Sequence, residues 1–134
     1  MIDSQLEAAI RSAWSKATAV EPTQWTDDNP AAGHCDVTAL AVRERVGGDL
    51  VQAQVFRDGE LSEHHYWNML PDGTELDLTR EQFDGAEDFG EPHRMDDAFF
   101  AQAGPMQPSL IRRFALFNSR LDASLNAAVE ERRP

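Results

Sequence analysis

Pro71-Asp72-Gly73 stands between two runs of strand-forming residues, and it constrains the fold more than any other stretch. The runs are His64-His65-Tyr66-Trp67-Asn68-Met69-Leu70 and Thr74-Glu75-Leu76-Asp77-Leu78-Thr79. Pro-Asp-Gly suits a type I turn followed by glycine in a left-handed bulge, which makes a three-residue loop. Leu70 then lies opposite Thr74, Trp67 opposite Asp77, and His65 opposite Thr79. Side chains alternate between the faces of a strand. His65, Trp67, Asp77 and Thr79 therefore share one face, and His64, Tyr66, Asn68, Leu76 and Leu78 share the other. Asp77 is the diagonal neighbour of His65, within side-chain reach. A two-residue Asp-Gly loop would instead set Asp77 opposite Asn68. Proline at the first loop position favours the longer loop.

The rest of the chain supplies a partner strand and helices. Val51, Ala53 and Val55 alternate with polar residues and predict a half-buried strand. Arg57-Asp58-Gly59-Glu60 reads as the turn after it. Before it, Val37, Leu40, Ala41 and Val46 recur at helical spacing until Gly47-Gly48 stops them. A first helix, capped by Asp3 or Ser4 with Glu7 in support, presents Leu6, Ile10, Ala13, Trp14 and Ala17, and Pro22 stops the chain beyond it. Residues 80–95 read as irregular, with Phe83 and Phe89 as anchors. A helix is expected over Asp96 to Gln102. A last one runs from Ser109 toward Asn126, with Leu110, Phe114, Phe117 and Leu121 on one face and Arg112 and Arg113 off it. This order predicts an α+β fold, with N-terminal helices on an antiparallel sheet and a C-terminal helix. A length of 134 residues suits one domain spanning 1–134.

Charge narrows the function classes. Asp and Glu number 24 against 12 Lys and Arg, a net charge of −12. A negative field argues against a nucleic-acid or anionic-membrane surface, and suits a soluble chain or one with a cationic partner. One cysteine excludes an internal disulfide and fits a reducing compartment. No apolar run reaches bilayer length and no signal segment opens the chain, so a cytoplasmic location is expected.

That cysteine lies in Asn29-Pro30-Ala31-Ala32-Gly33-His34-Cys35-Asp36-Val37, at the predicted start of a helix. Unpaired N–H groups and the helix dipole favour an anion there, which should lower the thiol pKa. Cys35 as nucleophile, His65 as base and Asp77 as the group orienting His65 make a catalytic set. Trp25, Asn29, His34 and Trp67 are the candidate substrate-binding residues, with Asn29 or His34 beside the Cys35 N–H as oxyanion donors. No metal or cofactor is expected, because His64 and His65 point to opposite faces and no paired-ligand spacing occurs.

Three stretches resemble the YunG-like family of bacterial proteins: Trp25-Thr26-Asp27-Asp28-Asn29-Pro30 running into Gly33-His34-Cys35-Asp36-Val37-Thr38-Ala39-Leu40, then His65-Tyr66-Trp67-Asn68, then Asp77-Leu78-Thr79-Arg80-Glu81-Gln82-Phe83. The resemblance implies a small papain-like, or transglutaminase-like, domain with Cys35, His65 and Asp77 in matching positions. This chain departs from the family pattern at His34, where the family tends to have glutamine, and at His64, an extra histidine before the motif. The resemblance implies no particular activity. Two readings follow. One is a hydrolase or acyltransferase acting through Cys35 on an amide, ester or thioester of a small molecule or short peptide. The other is a non-catalytic papain-like module that recognises a basic partner.

Overall fold

The computed structural model describes residues 2–95 and 107–131. Asp3 starts the first helix by accepting the Gln5 N–H at 2.6 Å, and α1 runs Ser4–Ala13. It ends sooner than its apolar stripe suggests. Trp14 turns extended and its indole N–H donates to Thr38 Oγ1 at 2.9 Å. Ser15 and Thr18 then cap a short 3-10 turn, Lys16–Thr18, followed by a second, Pro22–Gln24. Ala17 is exposed and belongs to no helical face.

Helix α2, Cys35–Val46, begins and ends where the sequence places it. Gly47 and Gly48 both take positive φ, and a Cβ on Gly48 would collide with the Met69 carbonyl, so only glycine fits that turn. β1 (Asp49–Arg57) and β2 (Glu60–Met69) form the central hairpin, with Ala53 opposite His65. Positive φ at Asp58 and Gly59 gives the primed turn that tight hairpins favour.

The three-residue loop holds. The Leu70 N–H donates to Thr74 O at 2.7 Å and the Gly73 N–H to Leu70 O at 2.9 Å. Strand β3, however, is only Glu75–Leu76, paired with Met69 and Asn68. Leu78 leaves the ladder to join the helical core with Ile10, Val42 and Phe117, and Thr79 is buried with it. The chain then makes a 3-10 turn, Arg80–Gln82. Two short strands in the segment read as irregular, β4 (Asp88–Phe89) and β5 (His93–Met95), both pair antiparallel with β1.

Helix α3, Gln107–Glu131, packs on α1 and α2. Phe117 and Leu121 are fully buried at the centre of the core. Arg113 lies off the apolar stripe and is nonetheless enclosed. It is buried and makes a two-pronged ion pair with Asp36, at 3.1 and 2.7 Å, tying α3 to the first turn of α2. The architecture is thus α+β, with helices against an antiparallel sheet. The helix expected over Asp96 to Gln102 lies outside the described residues.

Candidate active site

The early end of β3 creates the site. The Leu70 N–H points toward β3, so at two-residue spacing the backbone groups of Asn68, Tyr66 and His64 face the same edge. β3 reaches only as far as Asn68, which, among the described residues, leaves that edge without a strand beside His64 and Tyr66. The start of α2 fills the place. Cys35 Sγ lies 4.0 Å from the His64 carbonyl oxygen, and the Tyr66 backbone N–H favours its thiolate. These two backbone groups flank His65.

His65 itself is wholly buried. Its Nε2 is 2.7 Å from Asp77 Oδ2. Trp67 stacks on its ring, and Phe83 and Phe89 close on it edge-first. A carboxylate accepts only, so Nε2 carries a proton, and in the neutral imidazole Nδ1 is then the nitrogen with the lone pair. That Nδ1 is buried with no hydrogen-bond partner among the described residues. Asp77 departs from the strand ladder yet still makes the pairing that the register predicts, and Arg80 adds a cation 3.5 Å from Oδ2.

The thiol is not activated in the way the helix start suggests. Cys35 is 9% exposed, and burial pushes its pKa well above the ordinary value, with Asp36, Glu63 and Asp77 adding to the effect. Desolvation of a thiolate outweighs the helix dipole and the Tyr66 N–H. The resting thiol is protonated.

Of the expected substrate-binding residues, the structure keeps one at the Cys35 cleft. This cleft of about 900 Å³ is bordered by Asn29, Gly33, Cys35, Asp36, Tyr66 and Gln82 among others. Asn29 borders it, although its amide donates to Gln82 O at 3.3 Å. Trp25 does not border it: its indole N–H donates to Pro30 O at 3.0 Å and closes the loop. Trp67 is a support for the His65 ring, with its own N–H given to Glu75 at 3.3 Å.

His34 is turned inward, and both ring nitrogens are used. Nδ1 lies 2.9 Å from the Ala32 carbonyl, so it bears the proton. Nε2 then accepts from Thr18 Oγ1 at 2.6 Å and from the Ser15 N–H at 3.3 Å. Burial lowers its pKa to about 4. It is a neutral structural residue with no free donor for an oxyanion. His64 is exposed on the cleft side.

Gln82 is the site residue that spacing did not single out. Its Oε1 accepts the Gly33 N–H at 3.4 Å, its carbonyl accepts Asn29, and its Nε2 is buried without a partner among the described residues. The one available signal was its place in the stretch that begins at Asp77.

A protein-family model described as "YunG protein" matches residues 3–126. "Uncharacterized protein YunG" of Bacillus subtilis (strain 168) is 28% identical over 91 residues, which are 67% of this chain and 71% of that protein. No solved structure matches the chain.

Proposed function

The chain belongs to the YunG family, and from that premise we propose that it is a papain-like cysteine hydrolase or acyltransferase acting through Cys35, His65 and Asp77. One observation carries the reading. His65 is clamped, with Nε2 fixed by Asp77 and a buried, unpartnered Nδ1, on the strand whose open edge holds the Cys35 thiol. A structural histidine in a dry pocket normally uses both nitrogens, as His34 does. His65 leaves free the one nitrogen that a nucleophile's base requires.

The chemistry follows from a protonated resting thiol. As Cys35 Sγ bonds to the carbonyl carbon, its proton passes to His65 Nδ1, and the carbonyl π electrons move to oxygen. Asp77 stabilises the imidazolium at Nε2. When the oxygen lone pair returns, the bond to the alcohol, amine or thiol leaving group breaks, and His65 returns the proton to it. Water or an amine then attacks the thioester at Cys35 by the same steps. A cleft of about 900 Å³ suits a small acyl group or a short peptide end.

The test is intact-mass detection of an acyl group on Cys35 after exposure to an activated ester, an alkyl thioester and a short peptide anilide. The native chain should acquire the adduct from at least one donor. Cys35→Ala should acquire none, and Asp77→Asn should acquire it far more slowly. A native protein that no donor modifies, while a basic peptide binds it, would return the chain to the binding-module reading.

A further inference from the structure

Gln82 borders the cleft that holds the thiol, and it carries a counterpart of the unpartnered histidine nitrogen. Its amide orientation is fixed by chemistry: Oε1 faces the Gly33 N–H, a donor, so the NH₂ group is the end left over. That end is buried and makes no hydrogen bond among the described residues. A buried amide donor without an acceptor is costly, and a role in catalysis is one of the reasons such a group is retained. Gln82 borders the same cleft as Cys35. Gly33 and Asn29, its two anchors, lie just before Cys35 in the chain. Gly33 is itself held, because its carbonyl accepts the Val20 N–H at 3.0 Å.

We infer that Gln82 Nε2 is the side-chain donor to the oxyanion formed at Cys35, together with the Cys35 backbone N–H at the start of α2. The inference rests on the acyl-transfer reading above and deepens it. It also accounts for His34. The position before the cysteine is spent on holding the loop to Ser15 and Thr18, and the donor comes instead from the excursion after β3. That excursion delivers Asp77 to one side of His65 and, five residues on, Gln82 to the thiol cleft.

Two reactions of the same thiol separate a donor from a scaffold. Acylation by an activated ester builds negative charge on an oxygen; alkylation by iodoacetamide does not. In Gln82→Met, acylation of Cys35 should fall about 100-fold while alkylation changes little. Gln82→Glu keeps an acceptor for the Gly33 N–H and removes the donor, so its ratio of acylation to alkylation should fall by a similar factor. This variant serves if Gln82→Met does not fold. Equal loss in both reactions would make Gln82 a support for the loop and overturn the inference. So would unchanged acylation in either folded variant. Native protein that no ester acylates would overturn the acyl-transfer reading itself.

Discussion

Replacing His34 with glutamine should remove a specific acid sensitivity from the fold. The His34 ring is fully buried, and its pKa lies near 4 against an ordinary value of 6.5. Between those values the unfolded chain binds a proton that the folded chain refuses. Stability due to this group is therefore intact above the unfolded pKa and falls as the pH drops through 6.5, levelling off near 4. For these two values the loss between about pH 7 and pH 5 is about 2 kcal/mol. With a urea dependence of about 1.5 kcal/mol per molar, that is a midpoint lower by roughly 1.3 M. Glutamine keeps a donor for the Ala32 carbonyl and an acceptor for Thr18, but it does not titrate. The assay is urea unfolding of native protein and His34→Gln at both pH values. The native midpoint should fall further than that of the variant by about 1.3 M, with equal slopes. Parallel losses in the two proteins would show that His34 is not held neutral, and would return it to the list of groups free to act at the site.

Other outcomes follow from the same packing. Gly33→Ala should cost about 2 kcal/mol or more, because alanine must adopt positive φ and its Cβ presses on Val20 N; thermal unfolding reads the loss. Arg113→Met should cost about 3 kcal/mol by leaving the Asp36 carboxylate, 14% exposed, without its cation; adding Asp36→Asn should restore part of it in the same urea assay. At about pH 7 the native thiol should react with iodoacetamide at least 10-fold more slowly than the urea-unfolded thiol, whose pKa is about 8.5. A native thiol titrating below that reference would contradict its burial.

What could be read from the sequence was local. The Pro71-Asp72-Gly73 loop fixed the register because turn type depends on adjacent residues, and that register carried the His65–Asp77 pair. The α2 start and stop were equally legible, from Gly33 before Cys35 and Gly47-Gly48 after Val46. Everything that depended on distant partners was not. The alternation Leu76, Leu78 continues a strand pattern, yet Leu78 is drawn off by the helices that form the core. His34 looked like a site residue because it precedes Cys35, but its partners are Ser15 and Thr18. Gln82 gave no periodic signal, and its proposed role rests on an unused amide hydrogen that only the folded chain reveals.

For the nucleophile proposed above, burial of the thiol favours one of two ways of using a cysteine. A preformed thiolate–imidazolium pair needs an environment that tolerates both charges before substrate arrives. Here Asp36 and Glu63 raise the cost of a thiolate, and burial raises it further. The same enclosure makes a neutral pair inexpensive: the thiol keeps its proton, and in a neutral His65 the Asp77 contact places the proton on Nε2 and the lone pair on Nδ1. On the proposed acyl-transfer reading, charge develops only as the carbonyl is attacked, with Asp77 to stabilise the new imidazolium and the Gln82 amide as the proposed donor to the new oxyanion. The unpartnered Gln82 amide, the unpartnered His65 Nδ1 and the buried thiol then belong to one proposed arrangement, whose polar groups a bound acyl group would complete. This predicts that His65→Gln, unlike the same change in an ion-pair site, should slow acylation strongly while leaving the thiol's own titration almost unmoved.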